Sequence, residues 1–393
     1  MGTYSRASRG SAVVVLVALM AAPPGLSVPR ATHLSPPVER TDVPLVSGRP
    51  NTITPVALAY LNAALDIMQQ NSVRTRLVNW PALRRGALAL AAKARTRSGT
   101  YPAIRWALSR LGDHHSFFLT PSEARAMQAG TLAPNRPPTG EHLVGAIGYV
   151  DLPAVEGGPM QAEYAGLLQR AIERVDRTPT CGWVVDLRGN VGGDMWPMLA
   201  GVGPILGPGV AGHFVFAHST ETWTYAKGQA ALDGTVIARV ALPYTLKHPM
   251  PPVAVLTNSQ TASSGEAIVV AFRGRPRTRS FGQPTYGVPT ANREEGLADG
   301  AEIFLTVAVD ADRMGRHYDG PIPPDQLVPA APEAGPASPT TRLCALLWAG
   351  WTVNRPARAT PPLGTNDRGA EVVFKSRGPR VVTVPTGHLH AAP

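Results

Sequence analysis

The sequence predicts an α/β fold of stacked layers with a small helical unit on its N-terminal side. Three observations carry this reading. From about residue 143 onward, short apolar runs alternate with segments of helical period, as in strands joined by crossover helices. Between residues 55 and 111, apolar residues recur at helical spacing alone. Hydrophobic residues make up 44% of the 393-residue chain, enough for a sizeable core, while 40 Pro and 39 Gly supply turns and extensions.

Taken in order, Arg6 and Arg9 precede an apolar run at 12–22 that ends before Pro23 and Pro24. A positive start, a short apolar stretch and small residues make residues 1–30 an export signal, too short to span a bilayer comfortably. The alternative is an uncleaved N-terminal anchor. Residues 31–54, rich in Pro, Ser and Val, read as a linker. Ala57, Leu58, Tyr60, Leu61, Ala64, Leu65 and Met68 open the helical subdomain, 55–125, whose further helices fall at 80–94 and 101–111. A polar, Pro-rich stretch follows at 132–141. The α/β domain, 142–353, has strand candidates at 143–152, 182–187, 213–217, 253–257 and 303–309. Helices are expected at 160–175, 195–205, 263–272 and 341–352. Residues 354–393 have no sustained period and read as a loose tail.

This composition excludes a coiled coil, a polytopic membrane protein and a wholly disordered chain. The net charge of +10 raises nucleic-acid binding, but only four of the 37 basic residues are Lys, and the Arg are scattered singly with no aromatic-plus-basic motif. No nucleic-acid partner is expected. Cys181 and Cys344 stand alone, without a CxxC pair, so one disulfide in an exported protein and two small buried side chains both remain open. No metal-ligand spacing occurs, and neither metal nor organic cofactor is expected.

Three loops carry chemistry. The buried-type strand at 182–187 breaks into Gly189-Asn190-Val191-Gly192-Gly193 before a helix, which exposes backbone N–H groups suited to an oxyanion. A tight strand-to-helix turn would look the same. The strand at 253–257 runs into Asn258-Ser259-Gln260-Thr261-Ala262-Ser263-Ser264-Gly265-Glu266, placing a serine among small residues at a helix start. Ser263 with Glu266 three residues on is equally a capping box. Asp113-His114-His115-Ser116 offers a histidine as general base or as a solvated loop residue.

In this order the three loops resemble the S41 serine peptidases, the family of tail-specific (C-terminal processing) and tricorn-core proteases. The matching pieces are Asp113-x-His115-Ser116-Phe117-Phe118, Ile147-Gly-Tyr-Val-Asp-Leu-Pro153, and Asp186-Leu-Arg-Gly-Asn-x-Gly-Gly193. They continue with Val255-Leu-Thr-Asn-x-x-Thr-Ala-Ser-Ser-Gly-Glu266, Gly282-x-Pro-Thr-Tyr-Gly287 and Tyr318-x-Gly-x-Ile-x-Pro-Asp325. The resemblance implies a crotonase-like, ClpP-like layered core. It further implies Ser263 as nucleophile, His115 as its general base, and an oxyanion hole from the N–H of Gly192 or Gly193 with that of Ser264.

Two departures refine the resemblance. Tail-specific members use a Ser–Lys dyad, yet no Lys lies between Lys247 and Lys375, so the tricorn-like Ser/His branch is implied. That branch places a Glu where Tyr318 stands here; Asp319, Glu266 and Asp113, in that order, are the candidate orienting acids, with a carboxylate-free dyad as the alternative. His317 is a rival base. The stretch between Phe118 and Ala146 is also too short for the PDZ domain of many relatives. The resulting expectation is an exported, PDZ-less serine peptidase acting on a peptide or protein, with no stable membrane span after signal cleavage. The alternatives are a non-catalytic carrier of apolar ligands on the same fold, and an esterase or acyltransferase.

Overall fold

A computed structural model describes residues 52–328, except 133–134 and 144–145. The expected export signal, most of the linker, the helix at 341–352 and the tail lie outside the described residues. The helices are α1 (Pro55–Asn71), α2 (Trp80–Leu90), α3 (Tyr101–Ser109), α4 (Pro121–Gln128), α5 (Gly158–Asp176), α6 (Met195–Leu206) and α7 (Ser264–Phe272). The strands are β1 (Phe117–Leu119), β2 (Thr139–Leu143), β3 (Ile147–Asp151), β4 (Gly182–Asp186), β5 (Gly209–Phe216), β6 (Thr220–Ala226) and β7 (Gln229–Leu232). After these come β8 (Thr235–Arg239), β9 (Val253–Thr257), β10 (Thr278–Gly282), β11 (Thr290–Gly296), β12 (Glu302–Asp312), β13 (His317–Tyr318) and β14 (Gln326–Leu327).

Two sheets result. The first runs β14-β10-β9-β4-β3-β2, parallel throughout except for the β2–β3 pair at its edge. The second runs β1-β12-β5-β6-β7-β8, antiparallel, with β11 and β13 also paired to β12. Helices α5, α6 and α7 lie between the sheets, where Leu168, Leu199 and Ile268 share one core with Val185 of β4 and Phe214 of β5. A parallel sheet needs crossover helices, and β4 and β9 are buried along their whole length, which is why both read as continuous apolar runs.

The other face of β12 holds the helical unit. Ile303, Leu305 and Val307 pack with Leu61, Leu65 and Ile104 of α1 and α3. Local chemistry starts these helices: Thr54 and Asn79 side chains accept N–H groups at the heads of α1 and α2, and Pro occupies the first turn of each. Tyr60 and Tyr101 both donate to Asp299 (2.7 and 2.6 Å), tying the unit to the β11–β12 turn.

Two sequence expectations need correction. The single strand expected at 143–152 is a hairpin, β2 and β3, with Thr139 opposite Asp151. The polar stretch before it therefore ends in an edge strand, where exposed polar residues are tolerated because one side has no partner. The meander β6–β8 carries no long apolar run, since β6 is polar and only partly buried and β8 is largely exposed, and so gave no signal.

Candidate active site

The chain leaves β9 at Thr257 and turns through residues 258–263 into α7. Ser263 ends this turn at φ 53, ψ −118, a backbone region that L-residues rarely occupy. The conformation is held by several bonds: Thr261 Oγ1 donates to Leu187 O (2.9 Å), Ala262 N–H to Asn190 O (2.9 Å), and Ser263 N–H to Glu266 Oε2 (2.9 Å). The expected capping box with Glu266 forms, and the Ser263 hydroxyl also lies 3.0 Å from His115 Nε2. Backbone strain of this kind clusters at active sites.

His115 comes from the loop between α3 and β1, 148 residues before Ser263 in the chain. After α3 the chain bends at Gly112, and Asp113 Oδ1 accepts the N–H groups of His115 and Ser116 (3.0 and 2.8 Å). Asn292 Nδ2 donates to His115 O (2.9 Å), and Nδ1 of the ring lies 2.7 Å from Thr290 Oγ1 on β11. Ser263 and His115 are both buried. With the proton placed on Nδ1, that nitrogen donates to Thr290 and leaves Nε2 as acceptor for the serine.

Asn190 ties the Gly-rich loop to its surroundings. Its Nδ2 donates to Leu152 O (2.9 Å) and its Oδ1 accepts Gly192 N–H (2.9 Å). Gly192 N–H is thereby engaged, whereas Gly193 N–H has no acceptor among the described residues. Gly193 sits at φ 104, and a Cβ there would stand 2.0 Å from Val155 O, so no other residue fits. Ser264 Oγ donates to Gly193 O at 2.5 Å, joining this loop to the head of α7. Upstream, Arg188 forks onto Asp186 (2.9 and 2.6 Å) in a buried pair that fixes the strand end.

None of the three candidate orienting acids takes the place on Nδ1. Asp319 is mostly exposed and pairs with Arg74 at 3.1 Å. Asp113 is spent on the backbone of its own turn and on Ser116 Oγ (2.7 Å). Glu266 accepts Thr285 Oγ1 (2.5 Å) and the N–H groups of Gly287 and Val288 (2.9 Å each) besides that of Ser263. Burial pushes its carboxyl up to about 7 against those four donors. His317 is exposed on β13, away from this cluster. Sequence reasoning missed Thr290, Asn190 and Asn292. Asn190 stood inside the Gly-rich word, but nothing near Thr290 in the chain announced it.

A cavity of about 550 Å³ opens beside the Gly-rich loop, lined by Glu156, Asp194, Glu294 and Glu302 with one Arg, Arg239. Burial and Asp194 push Glu156 up to about 8, and burial holds Asp194 at about 6. Burial and Glu294 put Glu302 at about 7. Among the described residues no group of three or more potential metal ligands converges, and no helix is long and apolar enough to cross a membrane.

Residues 146–328 match the model of peptidase family S41. The nisin-resistance protein of Lactococcus lactis subsp. lactis is 26% identical over 276 residues, covering 70% of this chain and 84% of that one. The chloroplastic carboxyl-terminal-processing peptidase 2 of Arabidopsis thaliana is 35% identical over 79 residues, 18% of this chain and 15% of that protein. Among solved structures, a lipoprotein from Streptococcus agalactiae superposes with a TM-score of 0.61 at 24% identity, covering 76% of this chain and 98% of that one. The photosystem II D1 C-terminal processing protease gives 0.52 at 18%, covering 75% and 97%. At these identities the superpositions speak for the fold. The family match and the fold agree over the same β3–β14 region, so residues 146–328 are similar in sequence to the peptidases of family S41 and the chain shares the fold of a processing protease.

Proposed function

We propose that the protein is an exported peptidase in which Ser263 Oγ attacks the scissile carbonyl and His115 Nε2 takes its proton. The C=O electron pair becomes an oxyanion held by the N–H groups of Gly193 and Ser264. Collapse of the intermediate expels the amine, which takes the proton back from Nε2, and water then releases the acyl group by the same route. Thr290 accepts from Nδ1–H and keeps the ring in the tautomer this needs. The single observation that supports this reading is the 3.0 Å approach of Nε2 to the hydroxyl of a buried serine in strained backbone.

Export rests on Arg6, Arg9 and the apolar run at 12–22. The Lactococcus relative is named for nisin resistance, and a peptide is the substrate proposed here. The acidic cavity beside the loop favours positively charged over negatively charged substrate groups.

Intact-mass analysis after treatment with a fluorophosphonate tests the site. One adduct on the wild type and none on Ser263→Ala is expected, and a folded wild type that takes none overturns the proposal. Matched peptide and ester substrates then separate a peptidase from an esterase by leaving group. Mass analysis of the exported protein should find roughly the first 22–32 residues missing; a retained Met1 would count against cleavage.

A further inference from the structure

Asp310, on β12, is fully buried, and neither of its carboxylate oxygens has a hydrogen-bond partner among the described residues. A buried carboxylate without donors is costly as an anion. Its position is specific. Strand alternation turns Ile303, Leu305 and Val307 toward the helical unit, and Ala308 on the opposite face packs into the core that includes α7. Asp310 shares the face of Ala308, and Glu266 is the charged group that faces it from α7. The backbone N–H of Asp310 donates to Pro289 O (3.0 Å), and its neighbour Val309 is the register partner of Thr290. This point of β12 therefore carries the segment that gives two N–H groups to Glu266 and a hydroxyl to His115.

The two carboxyls are unequal. Glu266 collects four donors, which favour its charged form, and Asp310 collects none. We propose that Asp310 is a positioning residue for the peptidase site: held uncharged, it lets Glu266 remain the carboxylate that grips Ser263 N–H and the 285–288 turn. Ionisation of Asp310 in alkaline solution sets a second negative charge against Glu266 and loosens that grip. Burial, then the charge of Glu266, hold the Asp310 carboxyl well above the usual carboxylate range.

The other groups around Asp310 are accounted for. Tyr318, its register partner on β13, donates to Asp312 Oδ2 (2.8 Å). Asp312 also accepts the N–H groups of Met314 and Arg316. Phe214, opposite on β5, carries no charge, and His115 is reached from the strand through Thr290.

The role rests on the proposed Ser263–His115 reading, so the experiment uses two readouts. The fluorophosphonate labelling rate and the thermal midpoint are measured from about pH 6 to about pH 10 for the wild type and Asp310→Asn. The wild type should lose labelling rate by up to about tenfold per pH unit beyond the transition, with the midpoint falling in parallel. Asp310→Asn, the uncharged isostere, should label at neutral pH and lose the alkaline fall in both readouts. Asp310→Ser supplies a second uncharged variant should the amide not be seated. An identical alkaline fall in wild type and variants, or none in the wild type, overturns the proposal. If the wild type never labels, the Ser263 reading fails, while the midpoint comparison still decides the role of Asp310.

Discussion

The ring of His115 is held by a hydroxyl: Thr290 Oγ1 lies 2.7 Å from Nδ1, while Nε2 faces Ser263 at 3.0 Å. Thr290 comes from β11, 175 residues further along the chain, and is placed by its register opposite Val309. A hydroxyl can accept from Nδ1–H and set the tautomer, but it brings no negative charge to stabilise an imidazolium.

The first prediction follows from that pair. A hydrogen bond to a charged group is worth about 1.5–3 kcal/mol, so Thr290→Val should slow turnover by roughly ten- to hundredfold. Thr290→Ser, which keeps the hydroxyl, should stay near wild type. Steady-state kcat across pH checks both. A Val variant at wild-type rate would show that Thr290 does not hold the base.

A second prediction concerns the turn that carries Ser263. Ser263 at φ 53 and ψ −118 sits where glycine is at ease, and such a residue costs on the order of 1–3 kcal/mol. Ser263→Gly should therefore melt above Ser263→Ala, with both inactive. Thermal unfolding of the two variants side by side decides it, since equal midpoints would mean that the turn stores no strain.

The acidic cavity makes a third. Glu156 has one carboxylate oxygen buried without a partner, and burial with Asp194 pushes its carboxyl up to about 8. A carboxyl raised in the folded state favours folding most below its unfolded value and loses that contribution as pH rises through the folded value. Glu156→Gln removes the titration. Its midpoint should gain on the wild type between about pH 5 and about pH 8.5. A gap that does not widen with pH would contradict the burial argument.

Local pattern determined a large part of this protein. Helical periodicity marked α1 to α3, continuous apolar runs marked β4 and β9, and their small-residue endings marked the two loops that hold Gly193 and Ser263. Those features are written in consecutive residues because backbone conformation and burial repeat along the chain every two or 3.6 positions. Tertiary structure decided the partners. It set Thr290 rather than Asp319 on His115 Nδ1, gave Asp319 to Arg74, spent Gly192 N–H on Asn190, and buried Asp310 beside Glu266. The pairings of Thr290 with His115 and of Asp310 with Glu266 join side chains whose distance depends on sheet register and on how α7 packs against β12. No short-range period encodes such distances, so an acid near the matched motif and a hydroxyl far from it could be told apart only once the chain had folded.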